Sequence, residues 1–441
     1  MYTDKLQRQF GLDKFLTWVA LSSIFVSGLY VETKYGILFF SYFLMIVTYA
    51  LIVVRTGSFG LRKAYGGFFF LLFGVSFLGF LISGFNYGVD LGRFAAVAAK
   101  ITMLVFFVLF FTGVYNLCGK SARLLFQRYL EVASVFAVLG ILQEVIFVAF
   151  GVNFLAPLTS GAKDFGSYLG IAGLSVEPAF YACSLLPAGT YYVSNFARTF
   201  KLGLAAVAVI LAILLSTSSL GYLGLFISAA ITIMFGIKLR HVWVLLILLP
   251  LFGFGAYKVS QLDFFQMRMN DTLAVLSGAE LTMTTGMNIS TYSLAVNMSM
   301  SLRSLQDNYG FGIGFGNYSA VFDHYIHNYE MPNYRDDLPG RGSATSLFAR
   351  LTAELGVAAW LIFIISFLWS WREIRRGDMP AISIAYTATL MIILLRMGEY
   401  YVNGVILVFL MIYWFHVEGQ LRRAQASASL VRSSHSARQS T

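Results

Sequence analysis

Charge is what this sequence has least of. Only 12% of its 441 residues are Asp, Glu, Lys or Arg, against 58% hydrophobic and 17% aromatic, and a chain so poor in polar groups cannot clothe a water-soluble domain of this size. Cysteine is almost missing too. Cys118 and Cys183 are the only two, which excludes a disulfide framework and a clustered thiolate metal site. No ten-residue stretches alternate apolar and polar residues as a membrane β-barrel requires, and no repeat of fixed period is visible. Residues 1–13 are polar, and the apolar run after them is span-length without a small-residue cleavage pattern, so no cleavable signal peptide is expected.

What the chain has instead is apolar runs of about 20 residues, the length of a bilayer-crossing helix. The expected fold is all-α: a polytopic membrane helical bundle of about twelve spans. The expected spans are 14–32, 36–54, 66–84, 94–115, 129–151, 177–196, 202–219, 221–237, 241–260, 346–369, 380–396 and 401–418. The pair meeting at "STSSLGYLG" reads equally as one long broken helix. Domain organisation follows: spans over 1–260, a large outer loop over 261–345, further spans over 346–418, and a serine-rich basic tail over 419–441 that is expected to be disordered.

Lys and Arg gather at 5–14, 55–63, 120–128, 198–201, 238–240, 372–376 and 422–438. The positive-inside rule puts all of these, with both termini, in the cytoplasm. The net charge of +10 is then a topology signal facing anionic lipid, and no nucleic-acid partner is expected. Two outer connections are long, roughly 152–176 and 261–345. Within the second, 271–308 has apolar positions at helical spacing, which predicts one or two amphipathic helices at the membrane surface.

Ionisable groups at or inside spans on the outer side are the candidates for function, because a central charge costs about 2.5–3.5 kcal/mol on insertion scales. They are Arg93, Lys100, Glu131, Glu144, Glu177, Arg350, Glu354, Arg396 and Glu399. Glu177 in "GLSVEPAFYACSLLPAG" reads as a helix start with Ser175 as cap and Pro178 close behind; among arginines it also reads as a base. Arg93 reads as an interfacial anchor or an anion ligand. Arg350 and Glu354 have the spacing of an i,i+4 ion pair. "GFGIGFGN" lacks the strand–turn–helix context of a nucleotide loop, so close backbone packing is its better reading. "DHYIHN" brings Asp323, His324 and His327 into one turn. It lacks a third ligand of metal-site spacing, so no metal is expected and His324 is kept as a second candidate base.

Four segments in order, "GLSVEPAFYACSLLPAG", "LLSTSSLGYLGLF", "NYGFGIGFGNY" and "SATSLFARLTAELGVAAWLIF", resemble the O-antigen polymerase and ligase superfamily. The final "LRMGEYYVNGVILVFLMIYW" looks like the last spans of its capsule and exopolysaccharide polymerases. The resemblance covers roughly residues 90–415. It implies a helical glycosyltransferase of the bacterial inner membrane, acting at the periplasmic face on undecaprenyl-diphosphate-linked oligosaccharide, without cofactor or metal. It also suggests a chain-length regulator as partner, beside membrane lipid. Ligases of the superfamily carry an arginine where this chain has Ser219, and a His-Asn pair where it has Thr345 and Ser346, so the resemblance favours a repeat-unit polymerase over a ligase. A flippase of lipid-linked oligosaccharide is the alternative from another class. On this reading Arg93, Arg303, Arg341, Arg350 and Arg396 are the phosphate-binding candidates, Glu177 and then His324 the base, and Tyr309, Tyr318, Tyr400 and Tyr401 the rings for sugar stacking.

Overall fold

A computed structural model of the chain describes residues 2–33, 36–88, 90–235, 266, 270, 289–331, 338–377, 379–402 and 404–439. The chain is all-α apart from two small antiparallel hairpins. Helix α1 (Tyr2–Ser22) ends well before residue 32, where the apolar run had predicted its end. The cause is tertiary. The Gly28 N–H donates to the Leu174 carbonyl at 2.8 Å, and Gly28 lies so close to the Ser175 backbone that no Cβ fits. Residues 23–29 are drawn against the 152–176 connection, with Ile24, Phe25 and Val26 buried. A hairpin of β1 (Tyr30–Thr33) and β2 (Gly36–Phe39) follows, Tyr30 opposite Phe39. Then come α2 (Phe40–Thr56), α3 (Lys63–Tyr87), α4 (Leu91–Leu117) and α5 (Ala122–Phe150).

The ends of these helices are written locally. Asp90 accepts from the Arg93 N–H at the start of α4, Ser121 accepts from the Leu124 N–H at the start of α5, and Gly151 closes α5 with φ 67°. The connection after α5 is ordered by α5 itself. Gln143 Oε1 accepts from the Ala172 and Gly173 N–H groups at 3.3 and 3.0 Å, and Glu144 Oε2 from Leu169 at 2.9 Å. Glu144 is thereby committed to holding this loop, which carries the short pair β3 (Lys163–Asp164) and β4 (Leu169–Gly170).

Helix α6 (Pro178–Thr199) is the centre of the second half, packed against α7 (Leu204–Leu215), α8 (Ser219–Phe235) and a later helix. α7 and α8 are two helices that meet at a turn over Ser216–Ser218, across which the Tyr222 hydroxyl donates to the Leu214 carbonyl at 2.8 Å. Gly221 and Gly224 seat Ile213 and Leu186 against the backbone, the small-residue packing that lets helices approach closely where hydrophobic burial offers no net drive.

The described part of the large loop supplies α9 (Ile289–Asp307) and α10 (Tyr318–Tyr325). α9 forms within the stretch expected to be helical and buries one face, Tyr292, Val296 and Met300 together with Ser293, Asn297 and Ser301; residues 271–288 lie outside the described residues, as does the expected span 241–260. The predicted span 346–369 is instead two helices, α11 (Leu347–Leu355) and α12 (Val357–Arg376), broken at Gly356. α13 (Pro380–Arg396) and α14 (Val405–Gln439) complete the chain. α14 runs through the serine-rich tail expected to be disordered, and Arg423 ties it to Glu373 of α12 at 2.7 Å.

Five helices among the described residues are long and apolar enough to cross a membrane, within α3, α4, α5, α12 and α14; α2, α7, α8 and α13 are shorter and equally apolar. The chain is an all-α membrane protein. Its main core joins α4, α5, α6, α13 and α14. A second core, of Tyr292, Val296, Met300, Ile313, Tyr318 and Phe322 with Ala349 and Ala353, fastens the large loop to one face of α11.

Helix α4 connects two chemically different ends. Arg93 at its start meets the glycine-rich loop, and Asn116 in its last turn meets the basic segments around Arg55 and Arg128, about 35 Å away at 1.5 Å per residue. Glu131 belongs to the basic end, not to the outer side where it had been grouped. It pairs with Lys14 at 3.5 Å and Arg128 at 2.9 Å and accepts from Trp18 Nε1 at 2.8 Å.

Candidate active site

The loop end is organised by α11, whose start is fixed by Ser346: its hydroxyl accepts from the Ala349 N–H at 3.2 Å and donates to the Leu394 carbonyl at 2.7 Å. Nearly every α11 side chain is buried, so Arg350 and Glu354, one turn apart, have no access to water and must find partners inside. Arg350 is 3% exposed and Glu354 fully buried. The expected i,i+4 pair forms at 3.1 Å. Arg350 also donates to the Gly398 carbonyl at 2.8 Å and to Glu399 at 3.2 Å, and its guanidinium lies 4.1 Å from the Tyr400 ring centroid. The Tyr400 hydroxyl returns to Glu354 at 3.2 Å. Such a closed network satisfies both charges, which is the condition for keeping an ion pair out of water. Glu399 is the member that faces outward, with about 35% of its side chain exposed.

The glycine-rich segment closes over this cluster by backbone contact, as its spacing had suggested. Ile313 and Gly314 donate to the Ala353 and Glu354 carbonyls at 3.0 Å each, and Val357 donates to the Gly310 carbonyl at 3.0 Å. These bonds occupy carbonyls that the end of α11 leaves free. Gly312 and Gly356 sit where a Cβ would strike the facing backbone, and Gly356 has φ +64°. Two non-glycine residues before α11, Ala344 and Thr345, also hold positive φ, 55° and 56°. A β-branched residue in that region is strained, and strain of this kind collects at functional sites.

Arg93 reaches the same loop from α4. It donates to the Gly88 carbonyl at 2.6 Å, to Ser83 at 3.0 Å and to the Ile313 carbonyl at 3.4 Å, between the rings of Phe80 and Tyr87. Its Nε is buried with no hydrogen-bond partner among the described residues. The Lys100 ammonium lies 5.5 Å from the Tyr401 ring, and the Tyr401 hydroxyl donates to the Lys100 carbonyl.

Glu177 is itself the N-cap of α6, with Pro178 in the first turn and no cap bond from its side chain. Ser175, expected as the cap, turns its hydroxyl to the Phe25 carbonyl instead. The Glu177 carboxylate is partly exposed and acts electrostatically on Arg396. Arg396 in turn donates to the Ser290 carbonyl and hydroxyl at 2.8 and 2.5 Å, which ties the end of α13 to the first turn of α9 in the large loop.

Other candidates fall elsewhere. His324 is exposed and packs on Tyr87 and Tyr325, at the edge of the loop's own core. Asp323 takes both arms of Arg341 at 2.7 and 2.8 Å on the surface, and Arg303 is exposed above the Tyr325 ring. Burial and the bond to Asp307 push the Tyr325 hydroxyl above the usual tyrosine range. Of the four tyrosines picked for sugar stacking, Tyr318, Tyr400 and Tyr401 are buried, and Tyr400 is sandwiched between Arg350 and Phe315. Their rings are covered by protein. Tyr309 is 86% exposed. The chain matches no family model, no curated protein and no solved structure.

The arrangement therefore has a rigid floor, made by Arg350, Glu354, Tyr400 and the glycine loop. Partly open groups stand around it: Glu177 with Arg396, Arg93, Lys100 and Glu399. Arg350, expected among the phosphate ligands, spends its donors on Glu354, Gly398 and Glu399. Among the described residues no group of three or more His, Cys, Asp or Glu is placed to hold a metal ion.

Proposed function

We propose that the chain is a repeat-unit polymerase: a bacterial inner-membrane glycosyltransferase with about twelve crossings and cytoplasmic termini. It moves a growing glycan from undecaprenyl diphosphate onto the next lipid-linked oligosaccharide at the outer face. The observation that supports this reading is Glu177, a partly open acid at the start of α6 whose charge is felt by Arg396, a cation anchored to the large loop. The reaction needs a base and a cation within one site. A hydroxyl of the acceptor sugar attacks the anomeric carbon of the donor, its proton passes to Glu177, and the bond from that carbon to the diphosphate oxygen breaks. The leaving lipid diphosphate gathers negative charge, which Arg396, Arg93 and Lys100 would offset without a metal. The same arginines would hold the diphosphate in the ground state through their planar forks.

The test is a gel assay of purified protein with an undecaprenyl-diphosphate oligosaccharide in the presence of EDTA, for wild type, Glu177→Gln and Arg396→Ala. A ladder from wild type that folded variants lose supports the reading. Absence of any ladder, with transbilayer movement of the lipid intact, overturns it in favour of a transporter.

A further inference from the structure

At the opposite end of the bundle, α1, α2, α4 and α5 enclose a cavity of about 500 Å³ lined by Asp13, Lys14, Arg55, Asn116 and Arg128 among others. A second, of about 320 Å³, shares Thr56 and Asn116 with the first and adds Arg62 and Lys120. Together they fall within the roughly 300–1,000 Å³ typical of small-molecule sites. Their charged lining is five cations and one carboxylate, so the space carries a strong positive potential. Its salt bridges are open ones: the Lys14–Glu131 and Arg55–Asp13 side chains keep between 29% and 47% of their surface exposed. Exposed pairs contribute little and exchange partners easily, so these cations can turn to an incoming anion. Lys120 is exposed at a turn with φ +57°, and Arg62 lies 4.8 Å from the Tyr115 ring centroid.

A further group narrows the ligand. The Asn116 Oδ1, between the two cavities, is buried without a hydrogen-bond partner among the described residues. An unpaired buried acceptor is costly and is relieved by a donor. Cations suit phosphate oxygens, and this amide oxygen suits a hydroxyl. Cys118, on the same wall, is no competing nucleophile, because burial pushes its thiol up to about 11.

We infer that this paired cavity binds a hydroxyl-bearing phosphate ester, with Lys14, Arg55, Arg62, Lys120 and Arg128 facing the phosphate and Asn116 accepting from the hydroxyl. Phosphatidylglycerol and free glycerol phosphate share that chemistry. The site is independent of the reaction proposed at the other end.

The experiment is native mass spectrometry of the full chain in neutral detergent, titrated separately with phosphatidylglycerol, phosphatidic acid, phosphatidylcholine and glycerol phosphate. Wild type is expected to prefer phosphatidylglycerol over phosphatidylcholine. Arg62→Gln combined with Lys120→Gln is expected to weaken it about thirtyfold, at the worth of a basic residue near anionic lipid, while Lys201→Gln in another basic segment leaves it unchanged. Lys120→Gln alone, at an exposed turn, is expected to cost about fivefold and serves if the double variant does not fold. Asn116→Leu is expected to erase the preference for phosphatidylglycerol over phosphatidic acid. Binding of glycerol phosphate alone identifies a soluble ligand, and binding of the lipid alone a membrane one; both support the site. Equal binding of phosphatidylcholine, equal affinity in the Arg62 and Lys120 variants, or a preference unmoved by Asn116→Leu overturns it.

Discussion

At the loop end, Arg350 and Glu354 keep 4% and none of their side-chain surface exposed, and every partner they have is protein. At the basic end, Glu131, Lys14 and Arg128 keep between 24% and 47% exposed around an open cavity. Both clusters pair acids with bases, yet burial gives them opposite uses. Buried charges that are fully satisfied act as a fixed scaffold, because breaking any one bond strands the others in a medium that cannot solvate them. Exposed charges keep water as an alternative partner and remain available to a ligand.

The largest effect should come from breaking the fixed cluster. Arg350→Ala leaves Glu354 buried without its cation and is expected to cost about 3–5 kcal/mol, read as a fall in the thermal or denaturant midpoint in detergent. Replacing both by methionine is expected to recover most of that loss, since the penalty lies in the stranded charge. A double variant as unstable as the single one would show that the pair contributes more than its own satisfaction.

Glu177→Gln tests the open groups beside that scaffold. It is expected to reduce chain elongation by about 10²–10⁴-fold, the usual worth of a positioned base, with the unfolding midpoint unchanged because the Glu177 side chain makes no cap bond. A matching loss of stability would reassign Glu177 to structure. Gly356→Ala comes next. Its Cβ would meet the Gly310 and Gly312 backbone, and φ is +64°, so about 1–3 kcal/mol is expected from overpacking. The loss should appear together with a freer glycine loop, seen as faster hydrogen exchange at Ile313 and Gly314.

Much of this was legible from the chain. α3, α4 and α5 follow from long runs with few charges, although the helices extend past the expected spans 66–84 and 94–115, and α5 starts seven residues before the expected 129. The Arg350–Glu354 pair and the backbone packing of the glycine-rich segment were readable from spacing alone. The rest depended on contacts between distant segments. α1 stops at Ser22 because Gly28 meets Leu174; the run 346–369 breaks because residues 310–314 dock at Gly356; and the polar tail stays helical on α14, anchored through Arg423 to Glu373. Pattern gives no depth either. It placed Tyr400 and Tyr401 among the tyrosines at an outer helix end, but only packing shows that both are enclosed.

The smallest expected effect is the most direct measure of how the two ends differ. Glu131→Gln removes the charge that Lys14 and Arg128 share, but it leaves an amide oxygen for the Trp18 N–H, now 2.8 Å from Glu131. The pairs are exposed, so a change within about 1 kcal/mol is expected, a fraction of the Arg350→Ala loss. Releasing two cations toward the adjoining cavity should at the same time strengthen anion binding there. A variant that is nearly as stable as wild type and binds phosphatidylglycerol more tightly would show that these exposed charges are held ready for a ligand. A large loss of stability instead would make Glu131 part of the scaffold and place the two ends under one rule.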